Sequence, residues 1–194
     1  MIIDDQTQPY DTASVVLRAQ VFHNGHEHLV NTARTMARRV LILVGSAQEM
    51  GTARNPFDVE TRMRLIRRIY PSPNVIIKPL MDLTTEDDIN TAWGDHVLEN
   101  MKRHLGKVPE LIIYGKEPAR EGWFSDEAIK GTSEIRVSRC LINIDATSQR
   151  KLMVENNREE WNKNHNQMIH CEFDKLRGKL LTIPYYKEML KICG

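Results

Sequence analysis

Two histidines three residues apart, His23 and His26, are split by a glycine in the segment Val15–His28, VVLRAQVFHNGHEH. An apolar run of β character, Ala13–Leu17, leads into this cluster, and a helical pattern begins almost at once. A helix start offers unpaired N–H donors and the positive end of the helix dipole, a combination that grips polyphosphates. Gly25 lets the backbone approach such a ligand closely. His23 and His26 fall on one face of the first turn, where both can donate to phosphate oxygens. The same pair would serve equally as surface or capping histidines, so the rest of the chain has to decide between the two.

Further residues of this kind follow. The run Val40–Val44 empties into GSAQEMGTARNPF, where Gly45 and Ser46 can bond a ligand and Arg54 brings a fixed positive fork suited to phosphate. Asn55-Pro56 is a stiff turn, and Asp58 can cap the next helix, whose Glu60, Arg62 and Arg64 read as a solvated face. A loop this long is either an ordinary connection or, as is common inside compact domains, a functional one. Asp82 comes next and then, past an acidic TTEDD patch, Asn90-Thr91-Ala92-Trp93. Trp93 offers a flat platform for an aromatic or cationic ring, or simply fills the core. Later, IDATSQR puts Thr147 and the N–H groups of a helix start forward as a second anion cradle, with Arg150 one turn in.

Short β-branched runs alternate with longer amphipathic segments along the chain, and this alternation positions those residues. Strands are expected at Ala13–Leu17, Val40–Val44, Val75–Lys78, Leu111–Tyr114 and Arg136–Ile144. Helices are expected at His26–Arg39, Asp58–Tyr70 and Glu86–His104, with a short one near Phe124–Ile129. The pattern predicts an α/β fold, a parallel sheet with helices on both faces. Such sheets bind ligands beyond the carboxyl ends of their strands. Arg18 to His26, Gly45 to Phe57, and Gly115 with Lys116 all fall there. The chain turns helical and polar beyond Ser148, so residues 1–155 read as one domain and 156–194 as a helical extension packed on it.

Composition sets the outer bounds. The 194 residues are 41% hydrophobic and 27% charged, ordinary values for a globular chain with a real core. A net charge of +1 gives no general attraction to nucleic acid or an anionic membrane, so phosphate binding must be local. No apolar stretch approaches membrane-spanning length, and the start MIIDDQTQPYD is unlike a secretory signal. Cys140, Cys171 and Cys193 are scattered without a CxxC spacing and read as reduced thiols of a cytoplasmic protein.

Taken in order, these motifs resemble the nicotinamide-nucleotide (NMN) adenylyltransferases of the archaeal type, which also form the transferase half of bifunctional transferase–Nudix proteins. That family belongs to the HxGH nucleotidylyltransferase superfamily. Its opening G-R-[FM]-Q-P-F-H-x-G-H is similar to Leu17 through His26, and its GSAQ…R-[ND]-P-F loop to Gly45–Gln48 and Arg54–Phe57, followed by Glu60 and Arg62. Its Asp…Asn-Ala-Leu-Trp segment is similar to Asp82 and Asn90–Trp93, with a longer gap here. Its late S-[GA]-T-x-[IV]-R is similar to Asp145–Arg150; the lookalike Gly131–Arg136 is out of register and expected to precede the fifth strand. The likeness spans residues 10–155, with a weaker echo in the PYYKEML tail. Leu17, Val21 and Asp145 stand where the family has glycine, proline and serine.

The resemblance implies a Rossmann-like sheet of the HxGH nucleotidylyltransferase fold and the reaction of NMN with ATP to NAD and pyrophosphate. It implies direct attack of the NMN phosphate on the ATP α-phosphate. His23, His26, Arg18 and Arg150 would be the catalytic set, and Gln20, Gly115, Lys116 and Thr147 would complete the ATP site. Ser46, Gln48, Arg54, Asn55, Asp82 and Trp93 would hold NMN. Mg²⁺ would travel with ATP, with no dedicated carboxylate cage. Asp145 is then either a like-charge penalty beside the phosphates or an additional metal handle. A homo-oligomer is implied too. A catalytically silent nucleotide-binding homologue, or a transferase of the superfamily with another phosphate acceptor, is the alternative.

Overall fold

Apolar runs that do not alternate belong to strands buried on both faces, and such strands pair in parallel. A computed structural model of the chain describes residues 8–83, 91–115, 122–138 and 144–193. It contains β1 (Tyr10–Leu17), α1 (Asn24–Met36), β2 (Ala37–Val44), α2 (Val59–Ile69), β3 (Val75–Pro79), α3 (Thr91–Leu105), β4 (Leu111–Gly115) and β5 (Ser133–Val137). Then follow α4 (Ala146–Val154), α5 (Arg158–Lys163), a 3₁₀ turn (Gln167–Glu172), α6 (Phe173–Leu180) and α7 (Pro184–Cys193). The strands form one five-stranded sheet in the order β3-β2-β1-β4-β5, with every neighbouring pair parallel. The TTEDD patch, the expected helix start at Glu86, Asn90, Lys116, Cys140 and residues 139–143 of the expected fifth strand lie outside the described residues.

Helices cover both faces. Val30 and Ala33 of α1, with Met63 and Ile66 of α2, pack on Val15, Val40, Ile42 and Ile113. Val97, Leu98 and Met101 of α3 pack on Val16, Leu41, Leu43 and Ile112. Gly94 allows α3 its position, because a Cβ there would meet the Trp123 carbonyl oxygen at 1.5 Å. A further core, built around Trp161, Phe173, Leu176 and Leu180, joins α4 to α7 and takes in Val21, Phe57 and Leu65 from the sheet side. Among the described residues no helix is long and apolar enough to cross a membrane.

Three expected elements are corrected. The helix predicted over His26–Arg39 ends at Met36, because Ala37 and Arg39 pair with Tyr10 and Thr12 and begin β2. The fifth strand starts at Ser133, opposite Leu111, so Ser133–Arg136 of the rejected lookalike lie in the strand rather than before it. The short helix expected near Phe124–Ile129 is a run of turns, held by bonds such as Ile129 N–H to Ser125 O at 3.2 Å.

Candidate active site

The order of the sheet reverses at β1, which pairs with β2 on one side and β4 on the other. A crevice opens at such a switch point beyond the strands' carboxyl ends. Here it is a cleft of about 930 Å³, lined by Arg18, Gln20, His23 and His26 after β1 and by Gly115 at the end of β4. Arg54, Thr147 and Arg150 line the same cleft. The residues expected around ATP are thus brought together, apart from Lys116, which lies outside the described residues.

Local chemistry explains the histidine pair. His23 is the N-cap of α1; its Nδ1 accepts from Gly25 N–H at 3.1 Å, while His26 Nδ1 accepts from His23 N–H at 3.3 Å. This reciprocal arrangement is a capping box made by two imidazoles. Because each Nδ1 accepts, each neutral ring carries its proton on Nε2, an assignment made from the bonding partners. The rings lie 3.9 Å apart between centroids. Gly25 serves the histidine as much as any ligand, since a Cβ there would sit 3.0 Å from the His23 ring.

The turns leaving β1 and β2 contain residues in the left-handed region, Ala19 at φ 53° and Ser46 at φ 49°. Such backbone is unfavourable for residues other than glycine and persists only where its surroundings hold it. Arg62 holds both turns. It is fully buried, donating from Nη1 to Arg18 O and Gly45 O, both at 2.7 Å, and from Nη2 to Ser46 O at 3.0 Å. Burial draws its pKa down to about 10, against the pull of Asp58 and Asp82, so it remains charged at neutral pH. The expectation that Arg62 lies on a solvated face is overturned. Arg64 also turns inward at one end, to Glu172 at 2.7 Å, which leaves Glu60 as the exposed member. Asp58 caps α2 as expected, accepting from Thr61 N–H at 2.7 Å.

Several expected ligands have structural partners. Gln20 is buried, and its amide bonds Asn55 Oδ1 at 3.3 Å, Phe57 O at 3.1 Å and Phe57 N–H at 3.0 Å, tying the histidine loop to the Asn55-Pro56 turn. Asn55 is buried in this tie and does not line the cleft. Arg150 donates to Gln20 O at 2.5 Å, Thr147 Oγ1 at 3.1 Å and the Tyr186 hydroxyl at 2.6 Å. The expected N–H cradle at the start of α4 is partly taken, because Asp145 Oδ1 accepts from Thr147 N–H at 2.8 Å and Ser148 N–H at 2.9 Å. Burial opposes ionisation of Asp145, yet bonds from Ser148 and Thr147, together with nearby His23, hold its pKa below the usual carboxylate value. A capping carboxylate therefore stands where the resembling family has a hydroxyl, contributing about 1 kcal/mol to the helix.

The residues expected around NMN separate into groups. Ser46 N–H donates to Asp82 Oδ1 at 3.1 Å, and the Gln48 side chain bonds the Asp82 backbone N–H at 3.0 Å and O at 3.3 Å. These three bond one another next to Gly45, whose missing Cβ would lie 3.8 Å from Arg18 Cγ, and none of the three is among the residues lining the cleft. Arg54 lies on the cleft itself. Trp93 is half-buried against the α3 core, edge-on to Trp123 at 6.0 Å, and is not among the residues lining the cleft. Its neighbour His96 reaches Met81 O at 3.0 Å, next to Asp82.

Sequence reasoning missed Tyr185, Tyr186 and Met189 of α7, which line the cleft from the far end of the chain. The weak PYYKEML echo was their only sequence signal. Arg62 was legible in principle, since 62, 65, 66 and 69 are helically spaced and three of the four are leucine or isoleucine.

The model of cytidylyltransferase-like proteins matches residues 18–160. The chain is 30% identical over 178 residues to a nicotinamide-nucleotide adenylyltransferase of Saccharolobus solfataricus, covering 91% of this chain and 88% of that protein. It is 33% identical over 82 residues to the protein of the same name from Halorubrum lacusprofundi, 41% of this chain and 44% of that relative, less than half of either. A crystal structure of a bifunctional NMN adenylyltransferase/ADP ribose pyrophosphatase from Francisella tularensis superposes with a TM-score of 0.68 at 19% identity. That likeness is one of fold, covering 94% of this chain and 53% of that one.

Proposed function

The chain belongs to the cytidylyltransferase-like family, and we propose that within it this protein transfers the adenylyl group of ATP to nicotinamide mononucleotide, giving NAD and pyrophosphate. The observation that carries this reading is the meeting of His23, His26, Arg18, Arg54, Thr147 and Arg150 on one cleft at the switch point of the sheet. In the step proposed, an NMN phosphate oxygen attacks the ATP α-phosphorus. The bond to the bridging oxygen breaks, and pyrophosphate leaves with the electron pair. The nucleophile is already an anion, so the protein supplies alignment and charge neutralisation rather than a base. His23 and His26 donate from Nε2 to the α- and β-phosphates, Arg18 and Arg150 hold the triphosphate, and Arg54 takes the NMN phosphate.

Mg²⁺ enters this account only as part of the substrate, MgATP. Among the described residues no group of three or more His, Cys, Asp or Glu could hold a metal ion. Asp145 lies at the cleft, but both its oxygens already accept hydrogen bonds, Oδ2 from the Ser148 hydroxyl. Among the described residues the donor set does not fit a resident metal.

A thermal melt tests the binding half of the proposal. MgATP at about a hundred times its dissociation constant should add about 2.7 kcal/mol, which at this chain length raises Tm by about 5–10 °C. Asp145→Ser keeps a capping oxygen and removes a negative charge beside the phosphates, so its shift at the same MgATP concentration should be larger. A wild type whose Tm ignores both MgATP and NMN would overturn the proposal.

A further inference from the structure

The last helix bonds Arg150 of the cleft through one hydroxyl. Tyr186 on α7 is 2% exposed and belongs to the second core, so its ring is held by packing. Its oxygen lies 2.6 Å from Arg150 Nε and 2.5 Å from Ala53 O. The directions are fixed, because a guanidinium can only donate and a carbonyl can only accept. Arg150 Nε–H therefore donates to the phenol oxygen, and the phenol O–H donates to Ala53 O. Ala53 and its neighbour Arg54 both line the cleft. The other two nitrogens of Arg150 are bonded to Gln20 O and Thr147 Oγ1, so Tyr186 completes the fixing of that fork in its plane.

We propose that Tyr186 is a positioning residue that sets Arg150 and the Arg54 loop in register, making the C-terminal helix a working part of the site. The inference rests on the reading that Arg150 serves the triphosphate and Arg54 the acceptor phosphate. A hydroxyl shared by both sides ties the two subsites together, and alignment of two bound phosphates is what this chemistry depends on. Packing alone would ask only for the ring, which phenylalanine supplies.

The test is a double-mutant cycle of Tyr186→Phe and Arg150→Lys, read in steady-state NAD formation and in calorimetric ATP affinity. Tyr186→Phe should still fold cooperatively, with a Tm lowered by about 2–8 °C because Arg150 Nε–H and Ala53 O each lose a partner. Its kcat should fall about tenfold, and its KM for NMN should rise about fivefold. Added to Arg150→Lys, the same change should cost no more than about twofold further in kcat, since the guanidinium it orients is gone, while the rise in KM for NMN, which comes through the Ala53–Arg54 loop, should persist. The proposal is overturned if Tyr186→Phe keeps kcat and both KM values within twofold of wild type. It is equally overturned if the two losses in kcat multiply in full, which would place Tyr186 on a route independent of Arg150. A wild type that forms no NAD would fail the proposed reaction instead. The cycle in ATP affinity then decides the inference alone, with coupling supporting it and additivity or no effect ending it.

Discussion

Alanine in place of His26 is expected to slow NAD formation at least about a hundredfold while leaving the fold in place. His26 is the third residue of α1 and lines the cleft. Its Nδ1 is committed to His23 N–H, so the proton it can offer a phosphate sits on Nε2. Losing one aligned donor to a charge that develops in the transition state typically costs on the order of 3 kcal/mol, about a hundredfold in rate. The capping bond that disappears with it is a smaller matter, about 1 kcal/mol or less, and Tm should drop by no more than about 4 °C. Activity and melting temperature measured on the same preparation separate the two roles. A variant within twofold of wild-type rate would leave His26 as a helix cap and nothing more.

Arg62→Met should produce the largest loss of stability. The change keeps a long apolar stem but withdraws the hydrogen bonds to Arg18 O, Gly45 O and Ser46 O together. Removing one side of a buried, charge-assisted network costs about 3–5 kcal/mol, partly offset because a charge no longer has to be buried. A net loss of about 3 kcal/mol lowers Tm by about 6–12 °C in a chain of this size. Both left-handed turns lose their anchor in the same variant, so affinity for both substrates should fall, unlike a defect confined to one subsite. A melting temperature within 2 °C of wild type would show that the turns hold themselves.

The parallel sheet was readable because β-branched runs and amphipathic segments alternate, and because β1 and β2 end in residues with obvious polar chemistry. What escaped the sequence depended on contacts between distant parts of the chain. Helical periodicity continues through Ala37 and Arg39, and only pairing with Tyr10 and Thr12 makes them strand. Gln20 and Asn55 carry the residue types of ligands, yet they bond each other across 35 positions and hold two loops together. An arginine inside a helix normally reads as solvated, and three converging carbonyls reverse that for Arg62. Tyr186 lies 36 residues from Arg150, and no local pattern announces their meeting.

The central claim is tested most directly by incubating the purified protein with MgATP and NMN and quantifying NAD, pyrophosphate and AMP over time. Direct transfer predicts NAD and pyrophosphate in equal amounts, formed only when both substrates are present, with no AMP accumulating. Release of AMP, or no NAD from a wild type that binds MgATP, would contradict it.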